Sequence, residues 1–249
     1  GVMLARPQLS APPADAHKYR RGLVAVVAGA MSGAALLAAR AAQRTGAGYV
    51  KIFAHEALQG PPDLVVALPD YRDSRIGALV VGPGLGRDAQ AHFVLAEAAD
   101  AGLPLVLDAD ALHLLSKGIM ATVATPHEGE IVAMERHFGL GASGSKIERA
   151  QALAGTSGMV IVAKGPDTVI AAPDGRYAMA PRGSSWLSTA GSGDVLAGCI
   201  GARLAGNGDG FVAACEGVWL HSEAARRTLA PFSAMDLAES LASAYRACL

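Results

Sequence analysis

Six short runs constrain this chain most: LVAVVAGA (23–30), YVKIFA (49–54), DLVVALP (63–69), ALVVGPGLG (78–86), LPLVLDADAL (103–112) and MVIVAKG (159–165). They are apolar at almost every position and do not alternate polar with apolar. A strand of that kind is buried on both faces, which is the signature of a parallel sheet. Between the runs lie segments with helical character. GAALLAARAAQRTGAG (33–48) is alanine-rich and stops at Gly46 and Gly48, as a glycine-capped helix does. QAHFVLAEAADAG (90–102) and KIERAQALAGTSG (146–158) read as two more. ATVATPHEGEIVAMERHFG (121–139) gives a short strand, a turn and a helix, with Glu128 and Glu130 in the first turn, where carboxylates are favoured. TVIAAPDGRYAMAP (168–181) is a hairpin turning at Asp174 and Gly175, and helices fill 194–205, 211–230 and 236–247. This order predicts an α/β fold with a mostly parallel sheet covered on both faces. No internal repeat is evident.

Ligands of such sheets sit beyond the carboxyl ends of the strands. The loops to inspect are therefore GAMSG, GPGLG, DADA, TPHEGE, KGPDT and STAGSGD. The last says most. Gly191, Ser192 and Gly193 precede Asp194, and an unbroken apolar helix follows. The first amides of a helix have no partner within it, and the helix dipole adds partial positive charge. Glycines let the backbone approach a phosphate closely. Asp194 can then cap the helix, or take a proton from a hydroxyl held near the phosphate. The loop is neither a Walker A motif nor a dinucleotide fingerprint.

Each of the other loops admits two readings. Lys164 reaches a phosphate or caps the sheet edge. His127 is a site residue or a satisfied surface histidine. Asp108 and Asp110 contact a hydroxyl or a hydrated cation, or one of them caps the next turn. GPGLG is a ligand edge or a packing seam. Ser32, Gly33 and Ala34 repeat the helix-start logic more weakly. The spacing around His127 is not HExxH, so no metal site is expected there.

Composition excludes several classes. The chain has 249 residues, enough for one large core and marginal for two. With 51% apolar residues it is not disordered as a whole. With 21 basic against 22 acidic residues, nothing steers it to nucleic acid or an anionic bilayer. Aromatics at 5% argue against base-stacking platforms. The three cysteines form no CxxC pair and are odd in number, which argues against a disulfide framework and a thiolate zinc site. A reducing, cytoplasmic setting is expected. No apolar run reaches membrane-spanning length, and the first 22 residues lack the order of a secretory signal. Gly1 in place of Met reads as a processed end. The Pro/Ala-rich stretch 7–16 reads as a linker, so the expected division is an arm over 1–16 and one domain over 17–249.

VVGPGLG, VLDADAL, TPHEGE, AKGPDTVI and TAGSGDVLAG, in this order, resemble the ADP/ATP-dependent NAD(P)H-hydrate dehydratases, members of the ribokinase-like superfamily. The resemblance runs from about residue 17 to the C-terminus. It implies a three-layer αβα sandwich around about eight mainly parallel strands. It also implies dehydration of (S)-NADHX or (S)-NADPHX to the reduced cofactor, with ADP or ATP consumed to phosphorylate the hydrate's hydroxyl and Mg2+ carried by the nucleotide. The family's base falls on Asp194. Its nucleotide contacts fall on Lys164, Gly165, Pro166, Asp167 and Thr168, with Gly191, Ser192 and Gly193 at the phosphates. Its hydrate contacts fall on Ala34, Gly86, His127 and Asp194. The resemblance further implies a homo-oligomer, often a tetramer, and a fused or separate epimerase partner, to which the stretch 7–16 would be the linker. Two places depart from the family pattern: the loop GAMSG is compressed, and GSSWLS (183–188) with Trp186 replaces an Asn-Pro-Gly-Met-Ala run. Two alternatives use the same loop: a ribokinase-like kinase for a sugar, hydroxyethylthiazole or vitamin precursor, and a non-catalytic nucleotide-binding assembly protein.

Overall fold

The computed structural model describes residues 1–116 and 118–249. The elements in chain order begin with β1 (Val2–Met3), β2 (Leu23–Val27), α1 (Ser32–Arg44), β3 (Tyr49–Phe53), β4 (Val65–Ala67), β5 (Ile76–Val81) and α2 (Ala89–Asp100). Next come β6 (Leu105–Leu107), α3 (Asp110–His113), β7 (Val123–Ala124), α4 (Glu128–His137), α5 (Lys146–Ser157) and β8 (Val160–Ala163). The hairpin β9 (Val169–Ala171) and β10 (Tyr177–Met179) precedes α6 (Ser192–Asn207), α7 (Gly210–Arg227) and α8 (Ala234–Arg246).

The strands form one ten-stranded sheet in the order β1-β10-β9-β8-β7-β6-β5-β2-β3-β4. It is wider than the expected eight or so, because short strands extend the β10 edge. The pairs β8/β9 and β9/β10 are antiparallel, and every other pair is parallel. Part of the N-terminal stretch lies on the body: Val2–Met3 pair with β10, and the Leu9 amide donates to the Cys248 carbonyl at 2.9 Å.

The central strands read as apolar throughout because both of their faces are covered; the edge strand β4 is the exception, with Val65 exposed. In β2, Val24 and Val26 pack with α1, α6 and α7 through Ala38, Ile200 and Val218. Leu23, Ala25 and Val27 turn the other way, into the cluster that holds Leu95 of α2, Ile131 of α4 and Leu153 of α5. Outside the first helix layer, α8 buries Leu237 and Leu241 against Leu220 of α7. Among the described residues, no helix is long and apolar enough to cross a membrane.

Helix α6 is the central helix, with every residue from Val195 to Ala202 buried. It lies against α1 so closely that a Cβ on Gly198 would stand 2.0 Å from the Ala38 carbonyl oxygen. The alanine content of α1 allows this approach, since Ala35, Ala38, Ala39 and Ala42 line the contact. The approach fixes the start of α6 at the carboxyl ends of the central strands. Gly198→Val is expected to lose about 1–3 kcal/mol of stability in urea unfolding. Gly206→Ala, on the same helix with nothing within 4 Å of the added carbon, should be neutral or gain up to about 1 kcal/mol. Equal effects of the two changes would contradict the close packing of α6 on α1.

Candidate active site

The parallel register brings the ends of β6, β7 and β8 side by side, and each continues as backbone hydrogen bonds. The Asp108 amide donates to the Val81 carbonyl at 3.1 Å, Thr125 to Leu107 at 3.0 Å and Lys164 to Pro126 at 2.8 Å. Their side chains then meet. Lys164 Nζ donates to Asp108 Oδ1 at 2.6 Å, and Thr125 Oγ1 donates to the same oxygen at 2.7 Å. Glu130 Oε2 stands 3.9 Å from Lys164 Nζ. Burial pulls the Lys164 ammonium down, but Asp108 and Glu130 more than offset it and hold it above the ordinary lysine range. Glu130 is raised above the usual carboxylate range by burial, against the pull of Lys164.

The residue between the two aspartates is strained. Ala109 has φ +47° and ψ −120°, a conformation rare for a side chain-bearing residue. The twist lets Asp108 turn into the buried pair while Asp110 turns to the next loop. There Asp110 accepts from the Gly86 amide at 3.0 Å and from Arg87 Nε at 2.7 Å. Ala34 sits in the first turn of α1, against the GPGLG loop: a Cβ on Gly84 would meet Ala34 Cβ at 3.0 Å.

Helix α6 opens onto this cluster. Its N-cap, Gly191, has φ +89° and makes no side-chain cap. Asp194 therefore does not cap the helix; it sits in the first turn. Ser192 is consumed internally, its amide donating to Thr189 and its Oγ to the Leu187 carbonyl at 2.7 Å. Among the described residues, nothing accepts from the amides of Gly193 and Asp194. They face a charged floor, since a Cβ on Gly193 would lie 3.5 Å from Lys164 Nζ and 3.7 Å from Asp108 Oδ2. Asp194 is pushed up to about 7, first by burial and then by the Asp108 carboxylate, with Lys164 opposing.

A cleft of about 580 Å³ adjoins the start of α6. Lys164, Gly165, Pro166, Thr168, Ser192 and Gly193 are among its lining residues. The KGPDT turn is clamped from within: Thr168 Oγ1 donates to the Gly165 carbonyl at 2.9 Å. Asp167 stands outside the lining, accepting from Lys146 Nζ at 2.8 Å, which holds its carboxyl below the usual range. Gly191 also lies behind the cleft, packed within 2.7 Å of Leu37 were it to carry a Cβ. His127 is the N-cap of α4: its Nδ1 accepts from the Glu130 amide at 3.2 Å, and its own amide donates to Glu130 Oε2 at 2.7 Å. The histidine is thus tied to Lys164 through Glu130. Trp186 is half exposed on a 3-10 turn (Ser185–Leu187) whose neighbours Ser184, Ser185 and Leu187 line the cleft.

His221 and Arg182 are lining residues that the sequence did not single out. His221 Nε2 contacts the Ser192 carbonyl at 2.9 Å. Burial pushes this imidazole down to about 4, so it is neutral and donates from Nε2. It pins the first turn of α6 from α7. The available signal was a lone polar residue within a buried helical stripe, Gly217, Leu220, His221 and Ala224. Arg182, whose charge also acts on Asp167 of the KGPDT turn, belongs to none of the motifs.

The sequence profile of the NAD(P)H-hydrate dehydratase family matches residues 24–246. The bifunctional NAD(P)H-hydrate repair enzyme Nnr of Mycobacterium leprae is 35% identical over 86% of this chain and 47% of its own. The ADP-dependent (S)-NAD(P)H-hydrate dehydratase of Neisseria meningitidis is 36% identical over 85% of this chain and 78% of its own. The chain thus spans about half the length of the bifunctional relatives it matches. Among solved structures, the ADP/ATP-dependent NAD(P)H-hydrate dehydratase of Bacillus subtilis, co-crystallised with ATP and Mg2+, superposes with a TM-score of 0.82 at 28% identity, covering 97% of this chain and 95% of that one. A ribokinase-like protein of Enterococcus faecalis shares the fold, with a TM-score of 0.83 at 23% identity over 96% and 92% of the two chains.

The raised Asp194 carboxyl has a consequence for stability. Its ionised form is disfavoured in the folded chain, so the folded state loses stability as pH rises from the unfolded carboxyl value of about 4 to the folded value of about 7. Asp194→Asn removes that loss. The variant should melt at a higher temperature than the parent at pH 8, and the gap should close below about pH 4. A gap independent of pH would show that Asp194 is not held in this environment.

Proposed function

Because the chain belongs to the NAD(P)H-hydrate dehydratase family, we propose that it dehydrates the S-hydrates of NADH and NADPH and consumes ADP or ATP in doing so. In this reading the nucleotide lies in the larger cleft, between the KGPDT turn and the start of α6. Its phosphates meet the amides of Gly193 and Asp194 and the ammonium of Lys164. The hydrate lies on the other side of Asp194, against Ala34, Gly86 and His127.

Asp194 takes the proton of the hydrate's ring hydroxyl as that oxygen attacks the terminal phosphorus. The bond from phosphorus to the leaving nucleotide oxygen breaks, and the open amides stabilise the developing charge. The phosphorylated ring carbon then loses phosphate as the ring nitrogen's lone pair pushes in. A proton leaves the neighbouring carbon, and the dihydropyridine is restored. What supports the reading most is Asp194: a carboxylate poised near neutrality beside two open amides and a lysine. A general base works best when its pKa lies near the working pH.

Among the described residues, no group of three His, Cys, Asp or Glu side chains is placed to hold a metal. The residues fit a magnesium ion carried in on the nucleotide's phosphates, with Asp108 the carboxylate beside Gly193 that would face it. Bound there, the ion would neutralise phosphate charge during transfer. The reading also includes a homo-oligomer in a cytoplasmic setting, working with an epimerase that interconverts the R- and S-hydrates.

Incubation with NADHX or NADPHX and either nucleotide should restore the absorbance band of the reduced nicotinamide. Turnover of ATP with a small alcohol, and none with either hydrate, would replace this reading with a kinase. Asp194→Asn should lower kcat by about 10²–10⁴-fold while nucleotide affinity changes little. For the parent, kcat/KM should rise with pH through about 7, as the Asp194 carboxyl loses its proton. Lys164→Met should weaken nucleotide binding before it affects the hydrate; unchanged nucleotide affinity would count against its place at the phosphates.

A further inference from the structure

A second cleft, of about 320 Å³, opens at the carboxyl ends of β2 and β3. We propose that it receives the adenosine end of the hydrated dinucleotide, and that Glu56 on its wall selects a ribose without a 2′-phosphate. The proposal rests on the dehydratase reading above and adds to it a seat and a preference for NADHX.

The order of the sheet carries the placement. The larger cleft lies over β8 and β9, and the second lies over β2 and β3. Between them stand β7, β6 and β5, whose end loops supply His127, Asp108, Asp110 and Gly86. The reacting ring belongs at that middle position, with the phosphoryl donor on the β8 side. The rest of a dinucleotide must then leave toward β2 and β3. The second cleft adjoins the middle position directly. Ala30 and Leu85 line it, and the Ala30 amide donates to the Leu85 carbonyl at 3.3 Å. Gly86 follows Leu85, and a Cβ on it would touch Ala30 Cβ at 3.2 Å. Ala34 opens α1 just beyond.

The chemistry of the lining then selects the ligand. Leu58 and Val94 offer apolar surface for a base. Glu56 and Asp88 are the lining carboxylates, and no lysine or arginine lines the cleft among the described residues. Asp88 is committed to capping α2, accepting from the Ala91 amide at 2.9 Å. Glu56 is exposed and, among the described residues, has no hydrogen-bond or ion-pair partner. The nearest cations in sequence are engaged elsewhere: Lys51 with Asp73 at 3.0 Å and Arg87 with Asp110 at 2.7 Å. A free carboxylate accepts from the hydroxyls of a ribose diol, and it repels a phosphate on the same ribose. A dinucleotide site that takes the 2′-phosphate supplies an arginine instead.

The test compares NADHX with NADPHX in the parent and in Glu56→Gln and Glu56→Arg. Hydrated reduced nicotinamide mononucleotide, which lacks the adenosine end, is the control substrate. In the parent, kcat/KM should favour NADHX by about tenfold or more, through KM. Glu56→Arg should erase or reverse that preference, with kcat on NADHX within about twofold, and Glu56→Gln should fall between. On the mononucleotide hydrate all three proteins should be alike. Equal kcat/KM for the two hydrates in the parent, or a preference untouched by Glu56→Arg, would overturn the proposal. If the parent dehydrates neither hydrate, the dehydratase reading fails, and calorimetry with NADH and NADPH still decides on the cleft. Tighter binding of NADH that Glu56→Arg removes sustains it, and equal binding rejects it.

Discussion

The ion pair between Lys164 and Asp108 organises the functional end of this molecule. It ties β6 to β8 across β7, with Thr125 adding a third group to the same carboxylate oxygen. Removing two charges from water is unfavourable unless their remaining hydrogen-bonding capacity is met. Here Asp108 Oδ1 is met twice, and Lys164 has Glu130 as a second counter-charge. The remaining Asp108 oxygen lies toward Gly193. A buried pair of this kind is a weak source of stability, and its value here is positional. It sets a lysine and a carboxylate at fixed points beneath the first turn of α6, where the Asp108 carboxylate adds to burial in raising Asp194 and Lys164 opposes it.

The start of α6 is built to leave amides unmet. α5, by contrast, caps itself with Ser145 and Glu148, and α8 with Ser233 and Asp236, in full capping boxes. α6 has a glycine N-cap, and its first acidic residue is raised toward neutrality rather than spent on the backbone. The His221 imidazole holds the turn from behind through the Ser192 carbonyl. Strain at Ala109 and uncapped amides at Gly193 and Asp194 concentrate in one place, and the extended α1/α6/α7 core offsets them.

Much of this was legible in the chain. The non-alternating apolar runs announced strands with two buried faces, and all of them became strands of one sheet, although β4 at its edge leaves Val65 exposed. Asp174-Gly175 marked the β9/β10 hairpin, and the GSGD loop marked the opening of α6. The site loops were nominated by a single rule, that ligands gather at strand carboxyl ends, and Lys164, Gly165, Thr168 and Gly193 do line one cleft. Less legible was the use each side chain is put to. Asp167 sits in the same motif as Lys164 yet turns outward to Lys146, and His127 caps α4 through Nδ1 while keeping contact with Glu130. A motif specifies backbone shape locally, and which partner a side chain finds depends on the neighbouring strand.

By itself the amino-acid order determined the layers, the direction of most strands, the loops that hold chemistry and the glycines that keep α6 open. Those are local properties: periodicity, propensity and turn chemistry act over a few residues. Only the tertiary structure decided that Asp108 faces Lys164, which stands 56 positions away, that His221 supports Ser192 across 29, and that Asp194 is buried enough to sit near 7. Those are properties of register and burial. They come from which strand lies beside which and from how much water the packed helices exclude, and neither is encoded in any short stretch of the chain.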